Sequence, residues 1–368
     1  MQRSFLDEMK AARDAALTGQ GDNRRRAGIV GGDVPPELVL ACGLHPVRLA
    51  SRPGHGYELG QRYLAGGADE KAKILFQMIV EGSFGDLDCI VFSHACETYV
   101  RVFYALREFM RLYPGQAARV PPLHFLDLLH GSADSTRTYN MVRARQLIAA
   151  LGGCDDGALR EALALYERHR AAWREIDLLR RQGRISGCDT LLAAAASDVM
   201  EPVQYGVLIW SLVGQWRSNP VCTGKKVLVT GSAHDHAGYY ELIERHGLRV
   251  VGEDHDRAAR FVFHTSDNEV HDPLAAIIDR FQRSPVRSAK FPASERARQT
   301  AARAREQRIA GVLCLVRAGD PAARWDVPDQ QEALGELPFL LLDDLPYDPV
   351  PQLIDERIET WAAGLRHG

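Results

Sequence analysis

The segment Asp88 to Tyr99, DCIVFSHACETY, constrains the fold of this chain more than any other. Its apolar run, Cys89 to Phe92, shows no period-two alternation, so both faces of that strand must be buried, as in a parallel sheet covered by helices. The run breaks at a small polar turn carrying His94, Cys96 and Glu97, and an amphipathic segment, Val100 to Leu112, takes over. In open α/β sheets the carboxyl ends of strands are where ligands sit. An imidazole, a soft thiol and a carboxylate placed there form a candidate site, with Cys96 as a metal ligand and His94 and Glu97 as ligands or acid/base groups; capping of the helix start is the competing role for Glu97.

The same alternation of strand and helix recurs along the chain. A short strand in AGIVG, a helix start at Pro35 and Pro36, and a second strand from Pro46 to Leu49 make a β-α-β unit. A helix over Asp69 to Glu81 and a strand over Leu123 to Leu128 complete a first α/β unit, residues 27–131. From 132 to 220 the pattern turns to long helices, ALREALALYERHRAAWREIDLLRRQ being the clearest. A second α/β unit, 221–348, reads as strands at Val227 to Thr230, Leu248 to Val251, Gly311 to Val316 and Pro338 to Leu342, with helices at Gly238 to Arg245 and Ser294 to Arg308. A charged amphipathic helix over 1–26 precedes these units and a terminal helix over 349–368 follows them. Alternating strands and helices imply parallel sheets covered on both faces.

Composition narrows the function. A net charge of −3 with 25% charged residues gives no excess of either sign for nucleic acid or a membrane surface. No apolar window reaches spanning length, and the first residues, MQRSFLDEMKAARDAA, do not read as a secretory signal, so the cytoplasm is expected. Seven cysteines without a CxxC pair suggest neither a disulfide framework nor a zinc ribbon.

Further candidates cluster in the second α/β unit. The turn Thr230 to Ser232 can present backbone N–H groups to an anion, which makes Ser232 a candidate cofactor-binding residue. His234 and His236 stand two apart in the same loop, His255 lies in GEDHD, and Arg260 has the chemistry to anchor a carboxylate or phosphate. For each of these a solvated loop is the competing reading. Neither GxxxxGK[ST] nor GxGxxG is present, so no nucleotide motif is found.

Taken together, several segments resemble the 2-hydroxyacyl-CoA dehydratase and benzoyl-CoA reductase family. VPPELVLACGLHPVRL resembles its amino-terminal signature, DCIVFSHACETYVR the strand and loop that carry a cluster cysteine, and KKVLVTGSAHDHAGYYELIERHGLRVVGEDHDRAAR the start of its second domain. GVLCLVRAGDP and IDERIETW resemble the closing loop and terminal helix, so the likeness covers nearly the whole chain. It implies two flavodoxin-like (Rossmann-like) α/β domains with a helical domain, and a homologous partner subunit. It also implies an acyl-CoA substrate, a [4Fe-4S] cluster held by three cysteines, and a separate ATP-hydrolysing iron-sulfur activator. Cysteine thiolates suit such a cluster because they hold iron and tune its potential.

The sequence departs from that pattern at two of the three ligands. Cys96 falls in place, Asp69 stands where the cysteine before the opening strand is expected, and Gly319 where the one before Asp320 and Pro321 is expected. Cys314 lies five residues earlier, inside a strand, and is a poor substitute. Three readings follow. The chain is a cluster-poor subunit paired with a cluster-bearing homologue; or it holds an altered cluster or a single metal ion through Cys96 with His94, Asp69 or the imidazoles of the GSAHDH loop; or it keeps the scaffold for non-redox binding or lyase chemistry.

Overall fold

The computed structural model describes residues 9–11, 24–131, 133–262 and 271–365. Most of the helix expected over 1–26 lies outside them. The first unit comprises β1 (Arg26–Val30), α1 (Pro36–Ala41), β2 (His45–Arg48), α2 (Glu58–Leu64), α3 (Glu70–Glu81), β3 (Cys89–Ser93), α4 (Glu97–Leu112) and β4 (Leu123–Leu126). Four helices follow, α5 (Asp134–Ala150), α6 (Asp156–Gln182), α7 (Gly187–Ser197) and α8 (Pro202–Trp216). The remainder contains β5 (Lys225–Gly231), α9 (Gly238–Arg245), β6 (Leu248–Glu253), α10 (Pro273–Gln282), α11 (Ala293–Gln307), β7 (Gly311–Arg317), α12 (Pro321–Leu334), β8 (Phe339–Leu345) and α13 (Pro351–Gly364).

The strands form two four-stranded sheets, ordered β2-β1-β3-β4 and β6-β5-β7-β8, and every pairing is parallel. This is the α/β, flavodoxin-like architecture expected from the sequence. All five residues of β3 are buried, which explains its unbroken apolar run. Local chemistry sets the helix ends nearby: Asp69 caps α3 by accepting from the Ala72 amide at 3.0 Å, and Gly82, at φ +71°, ends it in the left-handed conformation that glycine tolerates.

The helices between the sheets bind the two halves together. Met141, Ala144 and Leu147 of α5 enter the core beneath β1 and β3, joined by Leu159 and Leu163 from the start of α6. The chain returns to this core through α10, whose Leu274, Ile277, Ile278 and Phe281 pack there too. The carboxyl half of α6 instead joins a separate core with Tyr205, Ile209, Leu212 and Trp216 of α8. Ile354, Ile358 and Ala362 of α13 cover the second sheet. Among the described residues no helix is long and apolar enough to cross a membrane.

Trp173 is the centre of the α6–α8 core. It is 1% exposed, stacks on Phe261 with ring centroids 4.5 Å apart, and donates from Nε1 to Tyr205 Oη at 3.0 Å. Trp173→Ala is expected to cost about 3–5 kcal/mol, the range for truncating a large buried aromatic. A urea titration would read this as a lower midpoint with an unchanged slope.

Candidate functional site between the two sheets

Each sheet has its topological switch between neighbouring strands, β1 and β3 in the first and β5 and β7 in the second, and ligand crevices form outside the carboxyl ends there. In this molecule the two sets of carboxyl ends face each other. The cleft between them, about 150 Å³, is lined by Asp69, Lys71, Cys96 and Tyr99 from the first half, and by Ser232, Asp254, His255 and Arg317 among others from the second.

Ion pairs between the halves close the cleft floor. Arg317, the last residue of β7, donates from Nε and Nη2 to Asp69 Oδ2 at 3.0 and 2.9 Å, and from Nη1 to the Ala233 carbonyl at 2.6 Å. Lys71 reaches Asp235 at 3.2 Å, and Arg48 pairs with Asp256. Arg257 holds Asp235 and Asp198 at 3.3 and 2.5 Å, while Tyr347 donates to Asp235 Oδ1 at 2.8 Å. Burial opposes the charge on Asp235, but Lys71 and Arg257 overcome it and hold its carboxyl far below the usual carboxylate range. Burial lowers the pKa of Lys71 despite the same contact.

The three loop positions that the resemblance singles out do come together. Cys96 precedes α4 as its cap residue and lines the cleft, Asp69 caps α3 in the same wall, and a Cβ built on Gly319 would lie 3.2 Å from Asp69 Cα and from the Ala68 carbonyl oxygen. Their chemistry does not fit a three-thiolate cluster. Asp69 spends one oxygen on Arg317 and the other on the Ala72 amide. Gly319, at φ +80°, supplies no side chain. Cys96 alone of the three positions keeps a thiol.

The altered-ligand alternative fares no better on geometry. Among the described residues no group of three or more His, Cys, Asp or Glu side chains is placed to hold a metal ion. His94 is taken up by Asp127 at Nδ1, 3.0 Å, and Glu97 at Nε2, 2.9 Å, outside the residues that line the cleft. His236 contacts the Tyr347 carbonyl at 3.0 Å. His234 is buried beside Tyr239 and His255, and burial holds its pKa well below the ordinary histidine value.

Of the other sequence candidates, Ser232 and His255 line the cleft. The Ser232 hydroxyl donates to Asp320 at 2.6 Å and accepts from the Arg317 amide at 3.0 Å. Arg260 lies instead on a second cavity of about 60 Å³, where it contacts Asp198 at 2.6 Å and stands over the Phe261 ring. Sequence reasoning missed Arg317 and Lys71, whose partners stand 248 and 164 positions away in the chain. The one available signal was the pairing of an acidic residue at a family cysteine position with an arginine two residues before another.

Comparison with known proteins adds to this picture. The family model described as "2-hydroxyglutaryl-CoA dehydratase, D-component" matches residues 32–361. The chain is similar to lactoyl-CoA dehydratase subunit beta of Anaerotignum propionicum, 24% identical over 259 residues, which cover 68% of this chain and 65% of that relative.

Proposed function

Because the chain belongs to the 2-hydroxyglutaryl-CoA dehydratase D-component family, we propose that it is the cluster-poor subunit of a 2-hydroxyacyl-CoA dehydratase-type lyase. It holds the acyl end of the thioester in the interdomain cleft and pairs with a homologous, cluster-bearing subunit. The observation that carries this reading is the fate of the three cluster positions: Cys96 and Asp69 line the cleft and Gly319 lies against Asp69, yet Asp69 is bound to Arg317 and Gly319 has no side chain. A [4Fe-4S] group, and the ATP-dependent activator that would reduce it, belong in this reading to the partner. The described cysteines are all free thiols, in keeping with work in the cytoplasm.

The alternative of a single-metal or oxidoreductase-like enzyme on the same scaffold predicts bound metal in the isolated chain. The test is anaerobic purification and reconstitution with iron and sulfide, followed by iron and sulfide analysis. Isolated wild type is expected to take up well under one cluster per chain, with Cys96→Ala indistinguishable from it. Co-expression with a homologue bearing all three cysteines is expected to yield a brown complex whose iron follows the partner. About four irons per isolated chain, lost in Cys96→Ala, would overturn the reading.

A further inference from the structure

Most charged side chains of the cleft are matched with opposite charge: Asp69 and Asp320 with Arg317, Lys71 with Asp235, Arg48 with Asp256, Arg296 with Asp326. Asp254, the residue after β6, is not. Its Oδ2 accepts from Thr230 Oγ1 at 2.6 Å, Thr300 Oγ1 at 2.7 Å and Gln330 Nε2 at 3.1 Å, three neutral donors carried by β5, α11 and α12. It makes no ion pair among the described residues, Arg296 acting on it only from a distance. Its Oδ1 has no hydrogen-bond partner there either, and it is not among the side-chain atoms sealed from solvent, while the residue lines the cleft.

A carboxylate fixed on one oxygen and open on the other is preorganised to accept from a ligand donor, because no side-chain freedom is lost on binding. Arg296 and Arg317 line the same cleft but are themselves paired with Asp326, Asp69 and Asp320, so the choice of a neutral hydroxyl as the donor follows from the acyl-thioester reading, whose ligand carries no cation. The position also matches the rule for open sheets, where a polar group at the end of a strand beside the switch meets ligand hydroxyls.

We propose that Asp254 Oδ1 is the acceptor for the hydroxyl of a small 2-hydroxyacyl group held in the cleft. This assignment rests on the acyl-thioester reading above. It makes the residue a source of specificity for hydroxylated over unsubstituted acyl groups, since a deoxy ligand leaves the buried acceptor unmatched.

Calorimetric titration of the full chain with lactoyl-CoA and with propionyl-CoA, which differ only by the 2-hydroxyl, tests it. Wild type is expected to bind lactoyl-CoA about tenfold more tightly, the scale of one hydrogen bond to a charged group. In Asp254→Ala the two affinities should converge, with that for propionyl-CoA unchanged, a selective loss that a merely structural role would not produce. Thr230→Val, which keeps the carboxylate but removes one orienting donor, should fall between. Equal binding of both thioesters by wild type, or a preference that survives in Asp254→Ala, would overturn the assignment alone. Binding of neither by wild type would remove the acyl-thioester reading together with it.

Discussion

Arg317→Ala is expected to destabilise the protein by about 3–5 kcal/mol, the cost of breaking a buried ion pair and leaving its partner charge uncompensated. The guanidinium is 6% exposed and serves both Asp69 and, at 3.6 Å, Asp320. Removing it leaves the carboxylates of Asp69 and Asp320 without the cation they share. Urea denaturation followed by circular dichroism reads the loss directly. The double variant Asp69→Asn/Arg317→Met should be less damaged than Arg317→Ala, because it removes both charges and fills the space. A shift below about 1 kcal/mol for Arg317→Ala, the value of an exposed pair, would show that the contact is solvated and does not join the halves.

Acid is expected to be the second large effect. His169 and His255 are 2% and 5% exposed, and burial holds both near pKa 4. In the unfolded chain each binds a proton near pH 6.5, whereas in the folded protein each stays neutral until about pH 4. Between those values the unfolded state binds more protons, so stability falls as pH falls. At about 1.4 kcal/mol per pH unit the loss approaches 3 kcal/mol for each residue by pH 4, together a large share of an ordinary 5–15 kcal/mol.

Glu253 acts later in the same direction. Burial raises its pKa, but Arg180, 2.7 Å away, pulls it down to about 2, so its contribution is present above pH 4.5 and is lost as pH drops through 2. Urea midpoints measured at pH 8, 7, 6 and 5 should fall steeply below 6.5. His169→Gln/His255→Gln should flatten that fall. A wild-type curve that is level between pH 7 and 5 would mean that the two imidazoles are not sealed as described.

Much of the fold was legible because its signals are local. The apolar run at Cys89 marks β3, Asp69 followed by helical periodicity marks α3, and Gly238 to Arg245 is α9 to the residue. Three helices were not anticipated: α2 has only seven residues, α12 is interrupted by Pro328, and α10 is ten residues long although Asp272 and Pro273 mark its start. That α10 packs on the first sheet has no sequence signature, because it depends on the chain crossing back from the second.

The site divided in the same way. Cys96, Asp69 and Gly319 could be grouped by likeness alone; in the structure Cys96 and Asp69 line the cleft and Gly319 lies against Asp69. What decides their chemistry is Arg317, and a long-range charge pair carries no local pattern. His94 read as a flanking ligand or acid/base group beside Cys96, yet it contacts Glu97 and Asp127 instead. The HxH loop read as solvated or metal-binding; His234 proves 1% exposed and wedged against Tyr239.

The long helix α6 sets how this cleft can work. Its 27 residues run unbroken for about 40 Å, at 1.5 Å each, with one end rooted in the first sheet's core and the other in the core beside the second. Gaping of the two halves at the back would have to bend that rod and tear its packing from α1 or α8. The molecule is therefore built as a vice with a welded spine rather than as a hinged jaw.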